Sequence, residues 1–443
     1  MVTQQVRLAC NLFRGILPTH DSAPSITVTA RGAQRLKSGH LWVYRSDIAK
    51  ADGVPPGALV HVQDQRGRKL GSALYSSASQ IAIRLLTWEI IAQADLLPLV
   101  RRRIDDAVGF RRRNVRDSDS CRVVFSEADL LPGLIVDKYN DVLVMQALTQ
   151  AFDREDMRHV VIEKLQEHFE RASLLERVDA HIRELEQLPA RESRLVGGDK
   201  AATVFTLNGP GLRTEVAKNI REGGVTAGQE ASATGVRFHF DGLAGQKTGA
   251  FLDQRENYAA AARHAHGEAL DCFTYQGGFA LHLARVCSSV TAMDASRPAL
   301  EIAEENEQLN GDSHICSEIE WIEGNVFDLL KDYSSAGHQY DTIILDPPAF
   351  AKSKRNVETA IRGYKELNLR ALKMLRPGGI LVTCSCSFHV SESEFLEMLT
   401  SATADSGRRL RILEKRGAAI DHPALAGVPE TQYLKCVIAQ TTE

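Results

Sequence analysis

Several common sequence features are missing from this chain of 443 residues. No stretch approaches the roughly 18–20 consecutive apolar residues that a membrane-spanning helix needs. None of the eight cysteines belongs to a C-x-x-C pair, so a zinc ribbon or finger lacks its ligands. Cysteines scattered through a long chain are typical of a reduced, cytoplasmic protein rather than a disulfide-stapled secreted one. These absences predict a cytoplasmic protein without a membrane span.

Motifs for phosphate-bearing cofactors and for metals are absent as well. The chain has neither a G-x-G-x-x-G loop after a strand nor a P-loop, which disfavours a nicotinamide oxidoreductase or a nucleotide hydrolase. Cys384, Cys386 and His389 are close in sequence but have no second group of ligands, so no metal site is predicted.

The charge is balanced overall but uneven along the chain. Lys and Arg number 53 and Asp and Glu 57, a formal charge of −4. This excludes a wholly basic nucleic-acid coat protein but not a local basic surface. One stretch is strongly positive and contains Arg101, Arg102, Arg103, Arg111, Arg112, Arg113 and Arg116. A solvated helix face would explain it, and so would contact with RNA phosphates.

The pattern of apolar residues and turns divides the chain into four parts. Residues 1–25 are expected to be a flexible leader, and residues 26–95 a small β-rich barrel. Residues 96–235 predict a middle α/β domain that carries the Arg-rich helix. From residue 236 strands and amphipathic helices alternate, which predicts an α/β domain with an open, mostly parallel sheet. Ligands of such sheets bind at the carboxyl ends of the strands.

The first two strands of this last region carry the signals of a cofactor site. Gly277 and Gly278 follow a strand that ends near Phe273, and they allow the backbone to approach a ligand closely. Asp294 ends the next strand, where a carboxylate can accept hydrogen bonds from ribose hydroxyls. Its alternative role is to cap the following helix. Asn325, after the third strand, is expected to border an adenine ring. A glycine loop that lacks a phosphate-binding motif, followed by Asp294, favours S-adenosylmethionine as the cofactor.

Two further strand ends supply candidate reactive groups. Asp346 follows an apolar strand, and Pro347-Pro348 fixes the turn behind it; the acid could also merely cap that turn. Cys384 and Cys386 end the fifth strand, predicted over 379–387. Both would face the same side of an extended strand, so spacing does not choose between them, and both could be core residues.

Four segments together resemble the bacterial RlmI-type family of large-subunit (23S) ribosomal RNA cytosine-5 methyltransferases. They are Lys247–Arg255 (KTGAFLDQR), Tyr275–Phe279 (YQGGF), Asp346–Phe350 (DPPAF) and Ser385–Ser387 (SCS). The KTG-to-DQR segment is the most specific of them. In the first domain, Gly39–Tyr44 (GHLWVY) resembles the start of a PUA module.

The resemblance implies a Rossmann-like class I methyltransferase domain after a PUA-like domain and an α+β middle domain, with S-adenosylmethionine as cofactor. The implied partner is large-subunit ribosomal RNA, and a homodimer is left open. The residues expected at the cofactor are Phe251, Asp253, Gln254, Arg255, Asp271, Phe273, Tyr275, Gly277, Gly278, Asp294, Ser296, Asn325, Val326 and Asp346. The residues expected at RNA are the arginines 101–103 and 111–113 and Lys247.

The family's motif assigns Cys386 rather than Cys384 as the nucleophile that adds to carbon 6 of cytosine and so activates carbon 5. Asp346 is expected to protonate the ring at N3. Many cytosine-5 RNA methyltransferases have a cysteine after the proline pair, where this chain has Ala349. The group that removes the carbon-5 proton is therefore left unnamed. Two alternatives stay open: methylation of an exocyclic amine of guanine or adenine, and an inactive RNA-binding protein of ribosome assembly.

Overall fold

The computed structural model describes residues 23–116, 118–208, 235–243, 250–311, 317–351 and 353–442. Most of the expected leader, and Lys247, lie outside the described residues. The chain forms two compact units, one up to Leu99 and one from Val100 onward. Within the described residues, no helix is both long and apolar enough to cross a bilayer.

The first unit is built on a six-stranded sheet in the order β2-β6-β5-β4-β1-β3. Its elements are β1 (Ser25–Val28), α1 (Ala30–Lys37), β2 (Trp42–Tyr44), β3 (Ile48–Lys50), β4 (Leu59–Gln63), β5 (Lys69–Tyr75) and β6 (Ile81–Thr87). The pairs are antiparallel except β1 with β4. Val43, Leu59, Val62 and Ile83 have no exposed surface and form part of its core. The small β-rich unit predicted from the turn spacing is thus confirmed.

The helix α2 (Leu96–Asn114) leads into the second unit, which begins with a five-stranded sheet. The strand order is β11-β10-β9-β8-β7. The elements are β7 (Cys121–Phe125), β8 (Leu134–Tyr139), β9 (Val142–Ala147), α3 (Gln150–Asp153), α4 (Glu155–His168), β10 (Ser173–Glu176), α5 (Ala180–Leu185) and β11 (Arg194–Gly197). A two-stranded antiparallel ribbon follows, formed by β12 (Ala202–Asn208) and β13 (Gly235–Asp241).

Two arginines of α2 that were expected to contact RNA are instead buried, so that prediction is wrong for them. The Nη1 of Arg103 donates to the carbonyl of Leu130 at 2.6 Å. Arg111 is only 3% exposed and pairs with Asp129 at 2.5 Å. Arg101 forms an ion pair with Glu163 on α4. A partnered guanidinium under the surface cannot reach a phosphate, and the arginines that remain exposed on this helix are Arg102, Arg112 and Arg113.

A seven-stranded sheet in the order β16-β15-β14-β17-β18-β20-β19 dominates the rest of the second unit. Its strands are β14 (Glu268–Cys272), β15 (Ser289–Asp294), β16 (Ile319–Glu323), β17 (Tyr340–Leu345), β18 (Leu375–Ser385), β19 (Leu410–Arg416) and β20 (Lys435–Thr441). The helices are α6 (Arg255–His264), α7 (Gly278–Leu283), α8 (Arg297–Asn310), α9 (Val326–Ala336), α10 (Val357–Met374) and α11 (Glu392–Ser406).

The first five strands along the chain, β14 to β18, pair in parallel, and β20 and β19 are antiparallel to their neighbours. Alternate residues of β17 enter two different cores: Ile344 belongs to one apolar cluster, and Ile343 and Leu345 belong to another. Because both faces are covered, the strand is a continuous apolar run in the sequence. The predicted open, mostly parallel sheet is confirmed.

A buried carboxylate fastens the segment between β19 and β20 to the body of the unit. Asp421 has no exposed surface; its Oδ2 accepts from the backbone N–H of Arg122 at 2.8 Å, and its Oδ1 lies 3.3 Å from the Nε of Arg255. Its carbonyl accepts from Arg111 at 2.8 Å. Burial opposes the charge, but His422 and Arg255 hold the pKa of Asp421 below its usual value. The guanidinium groups of Arg111 and Arg255 are therefore engaged in buried contacts within the protein.

Candidate active site

A cavity of about 630 Å³ opens where the parallel strands end. The lining residues come from the end of β15, from the segments that follow β14, β15, β16, β17 and β18, from β12 and β13, from residues 250–258 and from the two residues before β20. They are Leu207, Phe238, Ala250, Phe251, Asp253, Gln254, Tyr258, Phe273, Thr274, Tyr275, Gln276, Gly278, Phe279, Asp294, Ala295, Asn325, Val326, Asp346, Pro347, Pro348, Ala349, Cys386, Tyr433 and Leu434. The strand-end position expected from the fold class is where the cavity lies.

Most of the predicted cofactor residues meet at this cavity, and four do not line it. Those four are Arg255, Asp271, Gly277 and Ser296, none of which is among the lining residues. The expectation that they contact the cofactor is wrong for Arg255, whose guanidinium is held by Asp421 and Glu256. Ser296 is the N-cap of α8 and accepts from the N–H of Ala299 at 3.4 Å.

The loop after β14 is held from beneath by Asp271 and has unusual backbone angles. The Oδ2 of Asp271 accepts from the Thr274 hydroxyl at 2.6 Å and from the N–H of Ala280 at 2.9 Å. Burial raises the pKa of Asp271 to about 7. Phe273 and Tyr275 have positive φ angles of 66° and 53°. Asp271 thus shapes the loop rather than lining the cavity, which corrects its predicted role.

Two glycines allow the loop to turn into α7 against a tyrosine. Gly277 is the N-cap of α7 at φ 84°, a left-handed conformation that favours glycine. At Gly278, an added Cβ would lie 2.5 Å from the ring carbon Cζ of Tyr258. Tyr258 itself lines the cavity. A side chain at position 278 would therefore displace part of the cavity wall.

Asp294 faces the cavity with its carboxylate fixed by two backbone amides. Its Oδ2 accepts from the N–H of Tyr275 and its Oδ1 from the N–H of Ser296, each at 2.9 Å. Ser296, and not Asp294, is the N-cap of α8. Asp294 is among the residues that line the cavity. Asn325 caps α9 through the N–H of Phe327 at 2.9 Å and also lines the cavity.

A short segment before α6 contributes an aromatic ring and a carboxylate. Phe251 is 40% exposed, and its ring meets that of Tyr275 edge-on at 5.1 Å between centroids. Asp253 accepts a hydrogen bond from the Tyr433 hydroxyl at 2.5 Å. Tyr433 lies 180 residues away along the chain, and no local pattern in the sequence indicates it as a site residue.

Asp346 lies on the cavity wall directly after β17. Its N–H donates to the carbonyl of Cys272 at 3.3 Å, and the side chain of Gln254 donates to its carboxyl group. Burial, followed by the charges of Asp253 and Asp271, raises its pKa to about 8. The raised pKa favours the neutral carboxyl group, which is able to donate a hydrogen bond.

The structure separates the two cysteines of the fifth strand. β18 ends at Ser385, two residues earlier than predicted, and Cys386 lies just beyond it with its Sγ 3.9 Å from the carbonyl of Pro347. Cys386 lines the cavity and is partly exposed. Cys384 is fully buried opposite Cys436 in the sheet, and burial raises its pKa well above the usual value. Of these two thiols, only that of Cys386 can contact a ligand in the cavity.

Comparison with known proteins identifies both units. Residues 26–88 match the family of PUA-like domains, and residues 175–433 match the family of S-adenosylmethionine-dependent methyltransferases. "Ribosomal RNA large subunit methyltransferase I" of Tolumonas auensis is 35% identical over 405 residues, 90% of this chain and 95% of that protein. The protein of the same name from Erwinia tasmaniensis is 33% identical over 92% of this chain and 97% of its own length. The chain belongs to the ribosomal RNA large subunit methyltransferase I family.

Solved structures show the same fold. SMU.776, solved with SAH bound, superposes with a TM-score of 0.74 at 16% identity and covers 94% of this chain and 100% of its own. A Streptococcus mutans protein of the S-adenosylmethionine-dependent methyltransferase class gives a TM-score of 0.72 at 15% identity, with the same coverages. The family resemblance, the PUA-like and methyltransferase folds, and S-adenosylmethionine as cofactor are confirmed.

The charge of the cavity suits this cofactor. Among the described lining residues, Asp253 and Asp294 supply carboxylates, the raised pKa of Asp346 favours its neutral form, and none is Lys, Arg or His. Such a lining attracts a cationic ligand with a sulfonium and an ammonium group and repels a phosphate. Asp294 can accept hydrogen bonds from sugar hydroxyls, and Phe251, Phe273 and Tyr275 supply apolar surface.

We expect Gly278→Ala to weaken S-adenosylmethionine binding, because the new methyl group displaces the ring of Tyr258. Overpacking costs about 1–3 kcal/mol, which corresponds to a Kd raised roughly 5- to 150-fold. Isothermal titration calorimetry measures this change. Gly363→Ala is the matched control, since Gly363 lies within α10 and its added Cβ would meet nothing nearer than the Phe350 ring at 3.4 Å. Equal affinities for the two variants would show that the Gly278 contact does not shape the site.

Proposed function

We propose that this protein transfers a methyl group from S-adenosylmethionine to carbon 5 of a cytosine in large-subunit ribosomal RNA. The observation that carries the proposal is the presence of the Cys386 thiol and the Asp346 carboxyl group in one cavity that suits a cationic cofactor. The relatives' name, which refers to large-subunit ribosomal RNA, supports the substrate class.

The chemistry explains why a thiol is needed. Carbon 5 of cytosine is a poor nucleophile until the Cys386 thiolate forms a bond with carbon 6 and pushes electrons toward carbon 5 and N3. S-adenosylmethionine, when bound, supplies an electrophilic methyl group to carbon 5. A base then removes the carbon-5 proton, the carbon–sulfur bond breaks, and its electron pair returns to the sulfur of Cys386. The product is 5-methylcytosine and the thiolate is restored.

Asp346 has the protonation state that this reaction needs. Negative charge develops at N3 of the ring when the thiolate adds to carbon 6. A neutral carboxyl group with a pKa of about 8 can donate a proton there and takes it back when the carbon–sulfur bond breaks, whereas an ionised carboxylate would repel the developing charge. The target base must be unpaired or flipped out to reach a cavity at the strand ends.

The position after the proline pair argues against the exocyclic-amine alternative. Such enzymes use an aromatic ring there to stack on the base, but here Ala349 lines the cavity in its place. The ring of Phe350 packs instead against Tyr364 and Phe327, at centroid distances of 4.7 and 5.8 Å. Phe350 is not among the described residues that line the cavity, so its ring is not placed to stack on a base there.

A tritium-release assay tests the proposal. Ribosomal RNA labelled with tritium at carbon 5 of cytosine is incubated with the protein and S-adenosylmethionine, and tritium in water is counted beside methyl incorporation. We expect one tritium released for each methyl transferred, because the carbon-5 hydrogen must leave. Methyl incorporation without tritium release would contradict the cytosine-5 reaction and favour an exocyclic amine. No incorporation into any RNA, with intact cofactor binding, would favour the RNA-binding assembly protein.

We further propose that the exposed arginines of α2 contact RNA phosphates. Arg102 and Arg113 are exposed, whereas Arg112 donates to the carbonyl of His168 at 3.0 Å but also retains an exposed side chain. We expect the variant with both Arg102→Gln and Arg113→Gln to bind RNA more weakly at low salt. For single-stranded RNA the slope of log K against log salt should become shallower by about 0.7 per lost contact.

Filter binding at several salt concentrations measures both quantities for this double variant. Arg297→Gln is the control, because that guanidinium is exposed but already paired with Glu301 and Glu304. A salt slope identical in all three proteins would show that the α2 arginines form an ordinary solvated face.

A further inference from the structure

A buried lysine holds the turn that follows the candidate nucleophile. Lys435 is the first residue of β20 and pairs in register with Ser385, the residue that precedes Cys386. Only 8% of its surface is exposed. Its Nζ donates hydrogen bonds to the carbonyls of Ser387 at 2.6 Å, Val390 at 2.7 Å and Tyr433 at 2.9 Å. An ammonium group can make three such bonds, so its donors are all used.

These three carbonyls make Lys435 a clamp on the turn that carries the thiol. Two of them belong to residues 387–390, the turn that follows Cys386, and the third belongs to the segment that leads into β20. The Nζ therefore lies 2.6 Å from the backbone of the residue next to Cys386. The long side chain fixes the turn against the sheet, and its charge and that of Cys386 act on each other.

Few groups compensate this charge directly. Among the described residues, no carboxylate forms an ion pair with Lys435, although the charge of Glu394 on α11 acts on it. Glu394 instead caps α11 by accepting from the N–H and hydroxyl of Ser391 at 2.8 and 2.6 Å. Burial lowers the pKa of Lys435 to about 8, and the charge of Cys386 acts in the opposite direction. A buried cation of this kind gains by facing an anion.

Two phenols also have pKa values that respond to the charge of Cys386. Tyr364 of α10 binds the hydroxyls of Ser385 and Ser387 at 3.0 and 2.9 Å, and burial raises its pKa. Tyr433 donates to Asp253, and burial raises its pKa well above the usual value. Both phenols therefore stay uncharged at neutral pH. Lys435 supplies the positive charge that these two groups lack.

We propose that Lys435 is a positioning residue for Cys386, whose ammonium group clamps the 387–390 turn and favours the thiolate form of the sulfur. This inference rests on the proposed function, which makes that sulfur the nucleophile. An ordinary cysteine has a pKa of about 8.5, so few thiolates exist at pH 7 without such help. A cation next to the sulfur stabilises the charged form and thereby lowers the pKa of the thiol.

The pH dependence of alkylation tests the proposal without RNA or cofactor. The protein is treated with iodoacetamide between pH 5 and 10, and modification of the peptide that contains Cys386 is followed by mass spectrometry. For the wild type we expect the rate to reach half its maximum below the ordinary value of about 8.5. For Lys435→Met we expect this midpoint to rise by about one pH unit, which is roughly a tenfold slower reaction at pH 7.

Two further variants separate charge from structure. Lys435→Arg keeps the charge and should return the midpoint toward that of the wild type. Lys415→Met removes an exposed lysine of the neighbouring strand β19, which pairs with Glu392, and should leave the midpoint unchanged. A wild-type midpoint at or above about 8.5 would overturn the proposal even if Lys435→Met fails to fold. A folded Lys435→Met protein with an unshifted midpoint would overturn it as well.

The tritium-release assay tests the proposed function independently of the alkylation experiment. If methyl incorporation occurs without tritium release, the cytosine-5 reaction is wrong whatever the alkylation midpoints are. If tritium is released but the midpoints of the wild type and Lys435→Met coincide, the cytosine-5 reaction stands and the role of Lys435 does not.

Discussion

Cys386→Ala is expected to abolish both methyl transfer and tritium release, by at least about 10³-fold in kcat, because removing a nucleophile removes the route through the covalent adduct. Cofactor binding should change little, since the thiol is one of many lining groups. Initial rates with saturating RNA and S-adenosylmethionine measure the effect. Calorimetric titration of the cofactor shows whether the cavity survives the change.

Cys384→Ala is the matched control for this experiment. Cys384 is two residues away on the same segment but is fully buried against Cys436, so its removal should reduce stability slightly and leave the rate within a few-fold. If Cys384→Ala were inactive and Cys386→Ala active, the nucleophile would be misassigned. If both variants kept full activity, the reaction would need no thiol, as for methylation of an exocyclic amine.

Asp346→Asn is expected to lower kcat by about 10²–10⁴-fold, because an amide of the same shape cannot transfer a proton to the ring. The wild-type rate should also fall as the pH rises through about 8, where Asp346 loses its proton. Lys435 loses its charge in the same range, so the wild-type fall should involve two groups and the variant's fall only one. A variant with unchanged kcat and an unchanged pH profile would exclude Asp346 from the chemistry.

The same substitution should make the protein more stable. The pKa of Asp346 is raised from 3.8 in the unfolded chain to about 8 in the folded protein, so between these values the unfolded chain releases a proton that the folded protein keeps. Folding stability from this group is therefore lost as the pH rises from 4 to 8. Thermal unfolding should show Asp346→Asn melting above the wild type at pH 7, with the difference vanishing near pH 4. Greater stability with lower activity is typical of a residue kept for function.

The parts of the site that the sequence predicts well are those with a local pattern. The apolar run that becomes β17 places Asp346 at a strand end, and the glycine loop followed by Asp294 indicates a cofactor without phosphates. Parallel strands bring such ends to one edge whatever the details of the loops. The position of these residues at the end of a strand was therefore enough to predict that they belong to the site.

The failures are residues whose roles depend on distant partners. Arg111 looks like part of a basic face, but its partners include a carbonyl 310 positions away at Asp421. Asp271 lies next to the glycine loop in sequence yet points into the wall beneath it. Tyr433 and Lys435 reach the site only because β20 pairs with β18. Nothing in a local window of sequence specifies that pairing.

The order of strands at this edge also affects when the site can form during synthesis. β20 follows β19 in the sequence but inserts between β18 and β19, and β19 has no other neighbour in the sheet. A nascent chain that has extruded β18 and β19 therefore leaves β19 unpaired and the edge of β18 open. Cys386 is synthesised before Lys435, which arrives with the last strand of the sheet, so a chain that stops between them carries the thiol without its clamp. We therefore expect chains that stall before β20 to lack the charge that favours the thiolate, and each one exposes a sheet edge that other chains can pair with.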